Sequence, residues 1–343
     1  MWTTFNGAAG NGKIRLAVSR DRGQTFSPPI TITPPGVTTP ATTYVYPSVG
    51  SDGTLYVAFV GGFDTNNKNR VGHVFVTKST DDGRSFGPFV EAATPGENPN
   101  GFLPNTNFRD GIIENFAASP TYPGHAYLTY EDWDVASGQF DVKFTQSTDG
   151  GATWSAPPQT VNDAKNSGTT DQFQPSVAAG PGGAVAVAFY DRREACPNDP
   201  SILPGHVGDA NTCIDISLQA YKDEGTAAGA APVGGNVRVS RFTWDPDQPQ
   251  QTVDGINQNA CAGHNDPCPT GRAFIGDYFR PRGLAGQRLH ARGLHPLPLK
   301  ESVGRRRRPG LLPEPGARHR APVDVRSGLL SPGPSPSEVE NDP

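Results

Sequence analysis

Ser147-Thr148-Asp149-Gly150-Gly151-Ala152-Thr153-Trp154 decides the fold, because its pattern stands twice more in the chain, at Ser19-Arg20-Asp21-Arg22-Gly23-Gln24-Thr25-Phe26 and Ser79-Thr80-Asp81-Asp82-Gly83-Arg84-Ser85-Phe86. The shared form is S-x-D-x-G-x-[TS]-[FW], with Asp-to-Asp spacings of 60 and 68 residues. Three matches at five constrained positions are not chance. Each follows an alternating apolar run (Ile14–Val18, Val74–Thr77, Val142–Thr145) and precedes another short one, which is the setting of a hairpin turn. Asp21, Asp81 and Asp149 are expected to accept hydrogen bonds from nearby backbone N–H groups, Gly23, Gly83 and Gly151 to supply a positive φ, and Phe26, Phe86 and Trp154 to pack back onto the sheet. All nine are read as structural.

Working outward, a second repeat precedes the turns. Tyr46-Pro47-Ser48-Val49 leads into Gly53-Thr54-Leu55-Tyr56-Val57-Ala58-Phe59, and Gln174-Pro175-Ser176-Val177 leads into Gly183-Ala184-Val185-Ala186-Val187-Ala188-Phe189-Tyr190. Looser copies are Phe116-Ala117-Ala118-Ser119 with the run His125–Tyr130, and Phe274-Ile275-Gly276-Asp277-Tyr278. The unit is strand, Gly turn, strand, loop, strand, Asp turn, strand, four antiparallel strands in about 45 to 70 residues, the size of one propeller blade. Residues 13–33 read as the third and fourth strands of a first blade, and further blades fall at about 44–92, 115–162 and 172–245. Another begins near 272 and stops at Phe279. The expectation is an all-β propeller with four to five blades present and the ring incomplete.

The repeated turn resembles the Asp-box of sialidases and related BNR-repeat proteins, and Tyr190-Asp191-Arg192-Arg193 and Phe274-Ile275-Gly276-Asp277-Tyr278 resemble segments of secreted bacterial propellers of that kind. The resemblance runs from about residue 13 to 279. It implies a six-bladed parent and an exo-alpha-sialidase type of glycoside hydrolysis, with an arginine triad on the sugar carboxylate, an Asp acid/base and a Tyr nucleophile. A neutral phenol suits an anionic sugar, since a carboxylate nucleophile would be repelled. The Arg-Ile-Pro segment that supplies one triad arginine in the family is absent from the chain. A non-catalytic extracellular propeller that binds glycan or protein is the alternative.

In a blade of this order the Asp turns lie on one face and the longer loops on the other, here 60–72, 104–115, 131–141, 163–173, 191–214 and 246–273. Arg70, Arg109, Arg192, Arg193 and Arg272 are candidate substrate-binding residues, because guanidinium matches a carboxylate bidentately. Asp110, Asp191, Asp277 and Tyr278 are candidate catalytic residues, with Glu131, Asp132, Asp134, Asp171 and Tyr190 as further titratable groups on the same loops. For each arginine the competing reading is a solvated or strand-capping residue, and for Tyr190–Arg193 it is an ion-pair corner that braces the blade. No metal site is expected: His73, His125, His206 and His264 lack ligand spacing and read as surface histidines, and Asp64-Thr65-Asn66-Asn67 offers oxygens for Ca²⁺ without the full loop of a calcium motif. No phosphate-binding Gly loop and no Ser-centred elbow is present, and no cofactor is expected.

Composition bounds the rest. Of 343 residues, 41 are Gly and 35 Pro, which disfavours long helices, and no apolar run reaches the length of a membrane span. Met1–Gly7 shows neither the basic nor the apolar part of a signal peptide. Yet Cys196 with Cys213 and Cys261 with Cys268 fall as two close pairs in loop-like stretches, which suggests local disulfides and an oxidising compartment. A secreted or cell-surface parent is therefore expected, with a glycan or glycoprotein as partner, no nucleic acid, and a monomeric state. Residues 280–343 carry 12 Lys and Arg against 6 Asp and Glu, with no aromatic, whereas residues 1–279 carry 17 against 28 and every aromatic. The propeller portion is accordingly set at 1–279 and an Arg/Pro-rich disordered tail at 280–343, with a shifted reading frame as the hypothesis for its abrupt composition. A truncated or frameshifted member would show little or no activity.

Overall fold

The computed structural model describes residues 1–6, 11–33, 43–64, 70–99, 101, 103–106, 108, 110–111, 114–163, 169–247 and four short strand segments between 252 and 275. All of these belong to one compact unit, Met1–Pro298. The second division, 280–343, lies outside the described residues, and so does the loop at 65–69. Among the described residues there is no α-helix, and no helix long and apolar enough to cross a membrane.

The chain forms an incomplete Asp-box β-propeller. Blade I contains β1 (Trp2–Asn6), β2 (Asn11–Leu16) and β3 (Ile30–Thr31). Blade II contains β4 (Thr43–Val49), β5 (Leu55–Asp64), β6 (Arg70–Ser79) and β7 (Val90–Ala93), with β8 (Gly96–Glu97) also on β6. Blade III contains β9 (Glu114–Ala118), β10 (Ala126–Asp134), β11 (Gln139–Ser147) and β12 (Gln159–Thr160). Blade IV contains β13 (Gln172–Ala179), β14 (Ala184–Asp191), β15 (Asp215–Asp223) and β16 (Ala230–Arg238). Every pairing within a blade is antiparallel, and all but β6 with β8 are sequential. Two short hairpins follow, β17 (Thr252–Val253) with β18 (Ile256–Asn257), and β19 (Ala260–Cys261) with β20 (Ala273–Phe274). Blade I has one strand more than the sequence reading gave it. Trp2-Thr3-Thr4-Phe5 is rich in aromatic and β-branched residues, and Trp2 pairs with Arg15 and Thr4 with Lys13.

The three Asp turns share one geometry. In each, the carboxylate accepts the backbone N–H and the hydroxyl of the residue four positions on, at 2.8 and 2.6 Å for Asp21 with Thr25, 2.9 and 2.6 Å for Asp81 with Ser85, and 2.9 and 2.6 Å for Asp149 with Thr153. The leading Ser closes the turn by bonding both the Asp and the Gly N–H, as Ser147 does at 2.8 and 2.8 Å. Gly151 sits at φ +80°, and Gly23 and Gly83 at +87° and +78°. The Thr25 hydroxyl and N–H bonds hold the Asp21 carboxyl down at about 2.

Blades II and III each seat their turn on the blade before. The Lys78 Nζ of blade II donates to Gly150 O of the blade III turn at 2.7 Å, and a Cβ on Gly83 would meet Leu16 of blade I at 3.1 Å. Apolar layers fill the joints: Ile14, Leu16, Val57 and Phe59 between I and II, Tyr56, Val76, Phe116 and Leu128 between II and III, and Tyr127, Phe144, Val187 and Tyr221 between III and IV. Phe144 stacks on Tyr221 with centroids 4.6 Å apart. Blade IV carries no Asp-box. There the fully buried Asp223 accepts the Tyr127 hydroxyl at 2.6 Å and pairs with His125 Nδ1 at 2.7 Å. His125 is thus an interior histidine, not the surface residue expected; it sits immediately before the buried run of β10, and ligand spacing does not show that.

The turn aromatics divide the same way. Phe86 and Trp154 pack into the I–II and II–III layers, as expected, but Phe26 is 65% exposed. Its turn would seat on a blade ahead of blade I, and among the described residues none lies there. Trp154→Ala is therefore expected to lower unfolding free energy by about 2–3 kcal/mol in urea denaturation, and Phe26→Ala to change it by less than about 0.5 kcal/mol. Equal losses would contradict this seating.

Candidate functional site

Opposite the Asp turns, carboxylates stand at the ends of β9 and β10 and in the segments that lead into β9 and β13. Glu114 opens β9 and is fully buried, and burial holds its carboxyl well above the ordinary glutamate range. Glu131, fully buried on β10, accepts the Gln174 N–H of β13 at 2.7 Å. Asp110 lies in the segment leading into β9. The residue as a whole is partly exposed, but both carboxyl oxygens are inaccessible to water. Burial pushes its carboxyl up to about 8, with the nearby Asp171 adding to the rise and the Gly111 N–H, the Gln174 amide and Arg192 opposing it.

Arg192 and Asp171 make the buried ion pair of this face. Both side chains are fully buried with Arg192 Nη1 3.3 Å from Asp171 Oδ2. The same guanidinium donates to Pro104 O at 2.7 Å and Thr212 O at 3.2 Å, so it ties the segment before Asp110 to the end of the disulfide loop. Asp171 also accepts the Phe140 N–H at 3.1 Å, and its N–H donates to Asn211 at 2.8 Å. Burial lowers the Arg192 guanidinium to about 10, against the pull of Asp171, which leaves it charged at neutral pH. Burial likewise raises Asp171, while Arg192 works to keep it ionised.

The run Tyr190–Arg193 splits by strand alternation. Asp191 and Arg193 point to one side: Arg193 holds both Asp191 oxygens through Nε and Nη2 at 2.6–2.9 Å, pairs with Asp163, and bonds Asn236 at 3.1 Å. Asp191 also accepts the Ser217 hydroxyl at 2.6 Å. Tyr190 joins the apolar cluster of Phe173, Ile214 and Trp244, and burial pushes its hydroxyl up to about 12. The guanidinium groups of Arg192 and Arg193 are thus engaged by the chain's own oxygens, and Asp191 by Arg193, as in the ion-pair corner.

Of the other expected residues, Arg70 stands at the start of β6, where its backbone pairs with Glu97; its side chain, like Arg109, Arg272, Asp277 and Tyr278, lies outside the described residues. Asp132 accepts the Gly96 N–H at 2.8 Å and Asp134 caps its own turn at Ala136, so both serve the blade. Cys196 and Cys213 form the expected disulfide, with sulfurs 2.09 Å apart. Cys261 ends β19 and Cys268 lies outside the described residues, so the second pairing does as well. Beside the disulfide loop a cleft of about 570 Å³ is lined by Asn105, Thr106, His206, Asp209, Ala210, Thr212 and Asp247. Glu114 was missed in the sequence. Its signal was a Glu-Asn pair set between Ile113 and Phe116, polar residues where an inner strand should be apolar.

Comparison with known protein families and with curated proteins gives no match. Among solved structures, the chain is similar to a Penicillium chrysogenum alpha-L-arabinanase complexed with arabinobiose, at 18% identity over 66% of this chain and 58% of that one, with TM-score 0.41. It is similar to a GH93 alpha-L-arabinofuranosidase of Fusarium graminearum at 17% identity, 66% and 58% coverage and TM-score 0.39, and to a Hadza microbial sialidase at 15% identity, 64% and 48% coverage and TM-score 0.36. The chain spans 58% of the length of the first two.

Proposed function

We propose that this chain is the propeller portion of a glycoside hydrolase, with Asp110 as the proton donor to the leaving oxygen. The observation that carries this reading is the Asp110 carboxyl, held protonated at neutral pH by burial next to Asp171, which Arg192 works to keep ionised. Two carboxyl groups whose surroundings separate their protonation states form the acid and anion that glycosidic cleavage requires. If the sugar is a sialoside, its carboxylate needs arginines, and with Arg192 and Arg193 committed internally these are Arg70, Arg109 and Arg272. The Cys196–Cys213 disulfide supports a secreted or cell-surface location.

The second reading, a binding propeller without turnover, is favoured by the internal engagement of Arg192, Arg193 and Asp191. A panel of fluorogenic glycosides that includes a sialoside separates the two. Release of fluorophore by the full-length, frame-restored protein, abolished in Asp110→Asn, is the expected result, with little or none from the 343-residue chain by itself. Saturable glycan binding by folded protein with no release selects the binding reading, and neither binding nor release overturns both.

A further inference from the structure

The cleft beside the disulfide loop gathers a second set of ionisable groups, on the Asp247 side of Arg192. His206 comes from the loop 192–214 and Asp245 and Asp247 from the segment after β16, and one potential ligand atom from each lies within 4.8 Å of the others. We propose that this is a site for a divalent transition-series cation such as Zn²⁺ or Mn²⁺, bound by His206 and Asp247 with Asp245 as the group that orients the imidazole. Asp245 is fully buried. It pairs with His206 Nδ1 at 2.6 Å and receives the Leu203 N–H at 3.4 Å and the Asp247 N–H at 2.9 Å. With Nδ1 turned to a buried carboxylate, Nε2 is the nitrogen left for the cleft that the ring lines, the arrangement that metal-ligating histidines have.

The surroundings fit a cation and not an anion. Asp209 and Asp247 put two carboxylates on the cleft wall and, among the described residues, no Lys or Arg lines it; Arg192, whose charge acts on Asp247 as well, is held by Pro104 O, Thr212 O and Asp171. Asn105, Thr106 and Thr212 add neutral side-chain oxygens, and solvent can complete the shell. The loop is fixed in place before any ion arrives: the disulfide closes it, Cys196 N donates to Asp209 O at 2.8 Å, and Asp209 N donates to His206 O at 3.0 Å. Mixed imidazole and carboxylate ligands favour Zn²⁺ over Mn²⁺, and both over Mg²⁺ and Ca²⁺.

The test is calorimetric titration of the chelator-stripped full chain, disulfide intact and free of any polyhistidine tag, with Zn²⁺ and separately with Mn²⁺. One equivalent of Zn²⁺ is expected to bind more tightly than Mn²⁺. Asp247→Asn and His206→Ala should each weaken Kd at least tenfold, and Asp245→Asn by about 10–100-fold. His73→Ala, at a histidine paired with Glu91 on another blade, should leave Kd unchanged. If His206→Ala does not fold, as judged by circular dichroism without metal, Asp247→Asn decides alone. No binding of either ion, or binding that the folded cleft variants leave unchanged, overturns the proposal. The readout is binding, so it stands or falls independently of glycoside turnover.

Discussion

Arg192→Ala is expected to destabilise the protein by about 3–5 kcal/mol, seen as a lowered urea midpoint at unchanged slope. The magnitude comes from what is left behind. Asp171 loses its counter-charge while fully buried, and Pro104 O and Thr212 O lose a charged donor. The desolvation that already raises Asp171 then acts without opposition, so the carboxyl protonates or the two segments part to admit water. Arg192→Lys should recover only part of the loss, because an ammonium cannot span Pro104 O, Thr212 O and Asp171 as a planar fork does. Arg192→Met with Asp171→Leu should be more stable than Arg192→Ala, since removing both charges leaves neither one buried alone. A loss below about 1 kcal/mol for Arg192→Ala would mean that Asp171 is not the buried anion the geometry makes it.

The blades were legible because their signals are local. Eight residues specify an Asp turn, since Ser147, Asp149, Gly151 and Thr153 bond one another, and the alternation on either side marks the strands. Phe26 was misread for the complementary reason. Its turn is locally correct, but what an aromatic packs against depends on the neighbouring blade. The candidate site was legible as residue types and as a face, not as an arrangement. Asp110 and Asp191 stood out equally as loop carboxylates, and only the fold shows that Asp191 is saturated by Arg193 and Ser217 while burial raises the Asp110 carboxyl. Likewise His206 and Asp245 meet across 39 residues of chain, and no spacing rule for metal ligands spans that distance.

Asp110→Asn tests the proposed acid by two readouts that move in opposite directions. Turnover of whichever glycoside the chain cleaves should fall about 10²–10⁴-fold, since an amide keeps the shape of the carboxylic acid but has no proton to give. Stability should rise at neutral pH. In the unfolded chain this carboxyl ionises near the ordinary aspartate value, 3.8, and in the folded chain only near 8, so between these values the native state holds a proton that the unfolded state has released. The protein is therefore expected to lose stability as pH rises from about 4 to 8, by an amount on the order of a few kcal/mol, and Asp110→Asn should remove that slope. A carboxylate that served only to brace the blade would give the reverse: it would be ionised and bonded, stability would be lost as pH fell, and the amide would destabilise at pH 7. A variant that loses turnover and gains stability at pH 7 fits a carboxyl kept in an unfavourable place for its chemistry. One that loses both assigns Asp110 to the scaffold and leaves the hydrolase reading without its acid.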